Sequence, residues 1–138
     1  MRIVAIDYGR KRTGIAVTDP QQIIAGGLAT VSTSDLVPWL ERYISDEDVE
    51  RLVVGEPRQP GGRLSENYNR VMQFVGTWRK RHPEVPVDMW DERYTSVLAH
   101  RAMVDGGLRR KARQDKALVD EISATIILQG YMEAKKKR

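Results

Sequence analysis

Five carboxylates draw attention by where they stand. Asp7 closes the apolar run Ile3-Val4-Ala5-Ile6, Glu56 follows Leu52-Val53-Val54-Gly55, and Asp91 and Glu92 follow Val87-Asp88-Met89-Trp90. Asp120 lies near the start of the last helical stretch, beside the small residues Ser123 and Ala124. In open α/β sheets, ligands collect at the C-terminal ends of strands. With the fourth and fifth strands parallel to the first, these acids emerge at one edge. Several carboxylates in one place repel one another, and a bound cation removes that cost. Oxygen donors suit a hard cation, Mg²⁺ or Mn²⁺, which keeps several waters and completes its shell with substrate phosphate. The chain has no cysteine, which excludes a disulfide framework, a thiolate zinc site and a cysteine nucleophile. His82 and His100 read as surface or packing groups, the first at a helix end beside Pro83 and the second in mid-helix.

The elements that must position these acids can be read from patterning. Residues 2–7 and 13–18 are short Ile- and Val-rich runs joined by Tyr8-Gly9-Arg10-Lys11-Arg12, a hairpin turn, and 26–31 is a third strand. Ser34 is the expected cap of a helix carrying Leu36, Val37, Leu40, Tyr43 and Ile44. Residues 51–54 form a buried strand, 58–63 a loop with Pro60, Gly61 and Gly62, and Ser65 caps a helix with Tyr68, Val71, Met72, Val75 and Trp78 on one stripe. A fifth strand spans 86–90. A helix capped by Thr95 ends at Gly106-Gly107, and a last helix over about 117–133 presents Val119, Ile122, Ile126 and Gly130. Trp39, Trp78 and Trp90 read as core. Strands alternating with helices after an antiparallel meander predict an α/β domain, a mixed sheet with helices on both faces.

The chain has 138 residues, 23 basic against 19 acidic, for a formal charge of +4. Length fits one domain, taken as residues 1–134, with Lys135-Lys136-Lys137-Arg138 as a basic tail. Those four residues account for the whole excess. Charge is therefore informative only locally: Arg10, Lys11 and Arg12 adjoin Asp7, Arg58 and Arg63 flank the loop after Glu56, Arg93 follows Glu92, and Arg109, Arg110, Lys111 and Arg113 form a further run. These groups can hold backbone phosphates; solvated turn charges are the plainer alternative. No apolar run approaches the ~20 residues of a membrane span, and a cytoplasmic protein is expected.

Four segments in register resemble the YqgF (RuvX) family of pre-ribosomal-RNA nucleases, also described as Holliday-junction-resolvase-like. They are Ile6-Asp7-Tyr8-Gly9-Arg10-Lys11-Arg12-Thr13-Gly14-Ile15-Ala16, Val53-Val54-Gly55-Glu56-Pro57, Asp91-Glu92-Arg93-Tyr94-Thr95-Ser96, and Val119-Asp120-Glu121-Ile122-Ser123-Ala124 with the residues to Tyr131. The resemblance implies a ribonuclease H-like fold, a five-stranded sheet in the order 3-2-1-4-5, and a metal-dependent phosphodiesterase whose acids fall on Asp7, the Asp91-Glu92 pair and Asp120. Asp7, Asp91 and Asp120 are the expected metal ligands, Asp91 being favoured over Glu92. Glu56 stands where the family pattern has an apolar residue, so it is a further ligand, a substrate-facing group or a subgroup trait.

Such a site implies two divalent ions about 4 Å apart, with Asp7 between them, serving in-line displacement at phosphorus by water. The expected substrate is structured nucleic acid, foremost pre-16S rRNA during ribosome biogenesis. Branched DNA, or a binding module with little catalysis, are the alternatives. Cutting a four-way junction would call for a two-fold homodimer. A phosphate-cradling ATPase of sugar-kinase or actin type is disfavoured by length, since those enzymes close two such lobes around the nucleotide.

Overall fold

A computed structural model of the chain describes residues 1–57, 67–91 and 115–136. Its elements run β1 (Arg2–Tyr8), β2 (Arg12–Thr18), β3 (Ala25–Ser32), a 3-10 turn (Thr33–Asp35), α1 (Leu36–Asp46), β4 (Val49–Glu56), α2 (Tyr68–Arg81), β5 (Val87–Asp91) and α3 (Lys116–Lys136). Several features anticipated above lie outside the described residues: Arg58, Arg63 and their loop, Glu92, Arg93, the helix from Thr95 to Gly106 with His100, and the run Arg109, Arg110, Lys111 and Arg113.

The five strands form one sheet in the order β3-β2-β1-β4-β5. β1 pairs antiparallel with β2 and β2 with β3, while β1 with β4 and β4 with β5 are parallel. This is the mixed sheet the sequence predicts. β1 and β4 read as continuous apolar runs because both sheet faces are covered. Val4, Ile6, Ile15, Leu52, Val54 and Val87 pack on one side with α1 and α2, where Leu36, Leu40, Val71, Phe74, Val75 and Trp78 are buried. Ile3, Ala5, Ala16 and Val53 face the other way, against Ala124, Ile127, Leu128 and Met132 of α3.

Three expectations are corrected by these contacts. Ser34 caps no helix: it lies within the 3-10 turn, and α1 starts at Leu36. Of the three tryptophans only Trp78 is fully buried, its Nε1 donating to Val85 O at 3.2 Å. Trp39 stacks on Tyr43 at the margin of one core, and Trp90 meets Tyr131 edge-on at the margin of the other. On α3, the sheet-facing stripe is Ala124, Ile127, Leu128 and Met132, while Val119, Ile122 and Ile126 are partly exposed. The helix is apolar on more than one side, so spacing alone does not single out the buried stripe. α3 also runs through Lys136, and Lys135 Nζ reaches Glu50 at 3.4 Å. No helix among the described residues is long and apolar enough to cross a membrane.

Candidate functional site

Parallel pairing brings the C-terminal ends of β1, β4 and β5 to one edge, and with them Asp7, Glu56 and Asp91. Side chains alternate along each strand, so the two cores decide which side each acid takes. Ile3 and Ala5 face α3, which puts Asp7 on the α3 side. Leu52 and Val54 face α1 and α2, as do Val87 and Met89, which puts Glu56 and Asp91 on that side. Glu56 and Asp91 are also register partners across β4 and β5.

Asp120 joins Asp7 by way of a glycine. Gly14 lies directly opposite Asp7 in the β1–β2 ladder, and a Cβ on it would stand 2.0 Å from Asp120 O and 3.0 Å from Asp120 Cβ. Only a residue without a side chain lets the start of α3 lie this close to β2. Cross-strand Cβ atoms are about 5 Å apart, so the Cβ atoms of Asp7 and Asp120 are within about 8 Å, and their carboxylates can meet on one ion. The start of α3 is capped and tied to β3. Asp115 Oδ1 accepts from the amides of Ala117 and Leu118 at 3.1 and 3.3 Å, and Thr30 Oγ1 donates to Ala117 O at 2.7 Å. Burial pushes the Asp120 carboxyl above the ordinary range, opposed by Arg12, whose Nε donates to Asp120 Oδ2 at 3.1 Å.

The β1–β2 turn is rigid. A Cβ on Gly9 would lie 2.1 Å from Arg12 O. Thr33 braces the turn from beyond β3, its Oγ1 donating to Gly9 O at 2.7 Å and its amide to Lys11 O at 2.9 Å. Asn67 braces it from the start of α2: Nδ2 donates to Tyr8 O at 2.7 Å, while Oδ1 is buried without a hydrogen-bond partner among the described residues. Arg10 and Lys11 project from this turn into solvent, and Arg12 is partly covered by its pairing with Asp120.

Among the described residues no three acidic or imidazole side chains are grouped to hold an ion. Asp7 and Asp120 are brought together, and Asp91 and Glu56 share their edge on the opposite side. The pair still suits Mg²⁺ or Mn²⁺, since such ions are commonly held through one or two carboxylates with water and substrate phosphate. Asp120 already carries one cationic partner, the Arg12 guanidinium. Sequence reasoning missed the bracing roles of Thr33 and Asn67 and the Arg12–Asp120 pair. Gly14 did carry a readable signal, because a glycine inside an Ile/Val strand marks a close backbone approach. Of the other polar groups, Asp19 serves the β2–β3 turn, accepting from the amides of Ile23 and Ile24 at 2.7 Å each. His82 ties α2 to Glu41 and Glu84, as a packing group.

Comparison with known proteins places these features in context. A family model described as RuvX, Holliday junction resolvase, matches residues 1–134. A protein of Phocaeicola vulgatus named "Putative pre-16S rRNA nuclease" is 59% identical over 135 residues, covering 98% of this chain and 97% of its own length. One of the same name from Bacteroides fragilis is 58% identical over 135 residues, covering 98% of each. Among solved structures, Thermus thermophilus RuvC in complex with a Holliday junction superposes with a TM-score of 0.59 at 19% identity, covering 99% of this chain and 96% of that one. The fowlpox virus Holliday junction resolvase gives 0.58 at 14% identity, over 97% and 99%. At such identities the structural likeness establishes the fold, the ribonuclease H-like architecture of these resolvases.

Proposed function

Since the chain belongs to the RuvX family, we propose that it is a divalent-metal-dependent nuclease hydrolysing phosphodiester bonds of structured RNA, with pre-16S rRNA as its substrate. The observation that carries this reading is the juxtaposition of Asp7 and Asp120 over Gly14 at the C-terminal edge of the sheet. Mg²⁺ or Mn²⁺, when bound there, supplies charge neutralisation at phosphorus and a more acidic water at neutral pH.

The chain's own residues supply the rest. Asp7, fixed by a β1 that is buried on both faces, and Asp120, fixed by the glycine contact, offer oxygen donors that need little reorganisation. The Asp91-Glu92 pair offers the further carboxylate, and Glu56 faces the substrate from the α1/α2 side. Arg10 and Lys11, on a turn braced by Thr33 and Asn67, hold backbone phosphate and so orient the scissile bond, a role for positioning rather than for reading sequence. No side-chain nucleophile is required, in keeping with a chain that has no cysteine.

Branched DNA is the second reading, favoured by the description of the matching family model and by the resolvase folds. It requires two copies related by a two-fold axis, whereas RNA cleavage requires one. The test incubates purified protein with a pre-16S rRNA fragment or a synthetic four-way junction, with Mn²⁺ or with EDTA. Expected is RNA cleavage that EDTA abolishes and that Asp7→Asn lacks while still binding RNA. Cleavage of the junction alone would move the assignment to the second reading, and unimpaired cleavage by Asp7→Asn would remove Asp7 from the site.

A further inference from the structure

The Arg12–Asp120 pair joins residues 108 apart in sequence, one group from the proposed phosphate-holding turn and the other from the proposed metal-holding acids. It is not what keeps α3 on the sheet. The Thr30 hydrogen bond and the buried Ala124, Ile127 and Leu128 do that. The Arg12 side chain is 41% exposed and that of Asp120 23%, and an ion pair this open to water adds little to stability. Its position therefore calls for another account.

Asp120 lies beside Gly14, the register partner of Asp7, and without a divalent ion a half-buried carboxylate there calls for a counter-charge. Arg12 supplies one. A guanidinium forks equally well onto carboxylate or phosphate, but the edge that holds Asp120 cannot hold a phosphate at the same time. A divalent ion on Asp120 would both replace that hydrogen bond and repel the guanidinium. The backbone at Arg12 is fixed by the ladder and the braced turn, so release needs only side-chain rotation. The freed group would then stand beside Arg10 and Lys11.

Building on the metal-dependent reading above, we propose that Arg12 is the resident counter-cation of the Asp7/Asp120 site: it neutralises Asp120 in the metal-free protein and is displaced by the divalent ion to take a phosphate of the nucleic acid. Metal and nucleic acid then favour each other's binding, and by linkage the coupling is the same measured from either side.

The test titrates Mn²⁺ into the wild-type protein, Arg12→Gln and Arg12→Lys by calorimetry, without nucleic acid. Binding of a phosphorothioate RNA hairpin is followed by fluorescence anisotropy with and without Mn²⁺. In Arg12→Gln the ion meets no competitor, so Mn²⁺ binds more tightly, by about fivefold, the low end of couplings between linked sites. The gain in RNA affinity that Mn²⁺ confers on the wild type shrinks by the same factor. Arg12→Lys, which keeps the charge but not the fork, falls between and serves as the readout should Arg12→Gln not fold. A residue that merely braced the fold would move the denaturation midpoint and leave the Mn²⁺ dissociation constant alone. Equal or weaker Mn²⁺ binding in a folded Arg12→Gln overturns the proposal and leaves the metal site standing. Absence of Mn²⁺ binding in all three proteins overturns both.

Discussion

Gly14→Ala tests whether the approach of α3 to β2 builds the site. The added methyl would lie 2.0 Å from Asp120 O and 2.4 Å from its carbonyl carbon, against an ordinary contact near 3.4 Å. Both obstructing atoms are backbone, so no side-chain rotation relieves the overlap, and the start of α3 has to retreat by more than about 1 Å. Ala124, Ile127 and Leu128, all fully buried on the same helix, are drawn with it. Overpacking of this kind costs about 1–3 kcal/mol. A displacement of about 1 Å at reacting groups costs about 100-fold in rate. Gly26→Ala is the control, because nothing lies within 4 Å of its added carbon, and its stability should stay within about 0.5 kcal/mol of wild type. Urea denaturation midpoints and Mn²⁺-dependent cleavage of the pre-16S rRNA fragment are measured on all three proteins. A Gly14→Ala protein with wild-type midpoint and rate would refute the packing argument. One that is destabilised yet cleaves normally when folded would take Asp120 out of the chemistry.

Two further outcomes are expected. Alternation sets Asp91 on the α1/α2 side with Glu56, so Asp91→Asn should slow Mn²⁺-dependent cleavage less than Asp7→Asn does, with Glu92→Gln measured beside them; equal losses in Asp91→Asn and Asp7→Asn would contradict the side assignment. His82 is held above its ordinary value first by the Glu41 hydrogen bond and then by Glu84. Its folded pKa thus exceeds the unfolded 6.5, and the stabilisation is fully present below 6.5 and lost as pH rises through the folded value. The gap in thermal midpoint between wild type and His82→Gln should narrow as pH rises above 6.5 and through the raised folded value, and a gap independent of pH would show that His82 acts through its tilted ring contact with Trp78 alone.

The strand order was legible because β1 and β4 are covered on both faces and so appear as unbroken apolar runs, while Gly9 and Gly14 mark a turn and a close approach. The buried stripe of α3 was not. Val119, Ile122 and Ile126 satisfy helical spacing as well as Ala124, Ile127, Leu128 and Met132 do, and only the small residues and glycines beneath the helix select the second set. The places of Asp7 at a strand end and of Asp120 near a helix start were readable, and with them the edge at which both stand. The Arg12–Asp120 pair was not, since no local pattern links residues 108 apart. Asn67 illustrates the same limit, because a polar residue before an apolar stripe suggests a cap, whereas here it donates to Tyr8 O from across the sheet edge.

Bringing acids to one edge is a weaker condition than bringing them to one site. Strands alternate by residue, so neighbours such as Asp91 and Glu92 are not interchangeable: a strand end commits each position to one face, and the core beneath decides which. Here the edge divides its described acids two and two, Asp7 with Asp120 under α3 and Glu56 with Asp91 toward α1 and α2. Arg12 pairs with Asp120, and the first pair is assembled from distant parts of the chain through a contact only glycine permits. A substrate phosphate arriving at an edge so rich in carboxylate has to be carried by cations. Arg10 and Lys11 are held out on a turn fixed from both sides by Thr33 and Asn67, with Arg12 directly beside them. The acids and the cations are therefore placed by the same eight residues, Asp7 to Gly14, and moving that turn should disturb metal and nucleic-acid binding together.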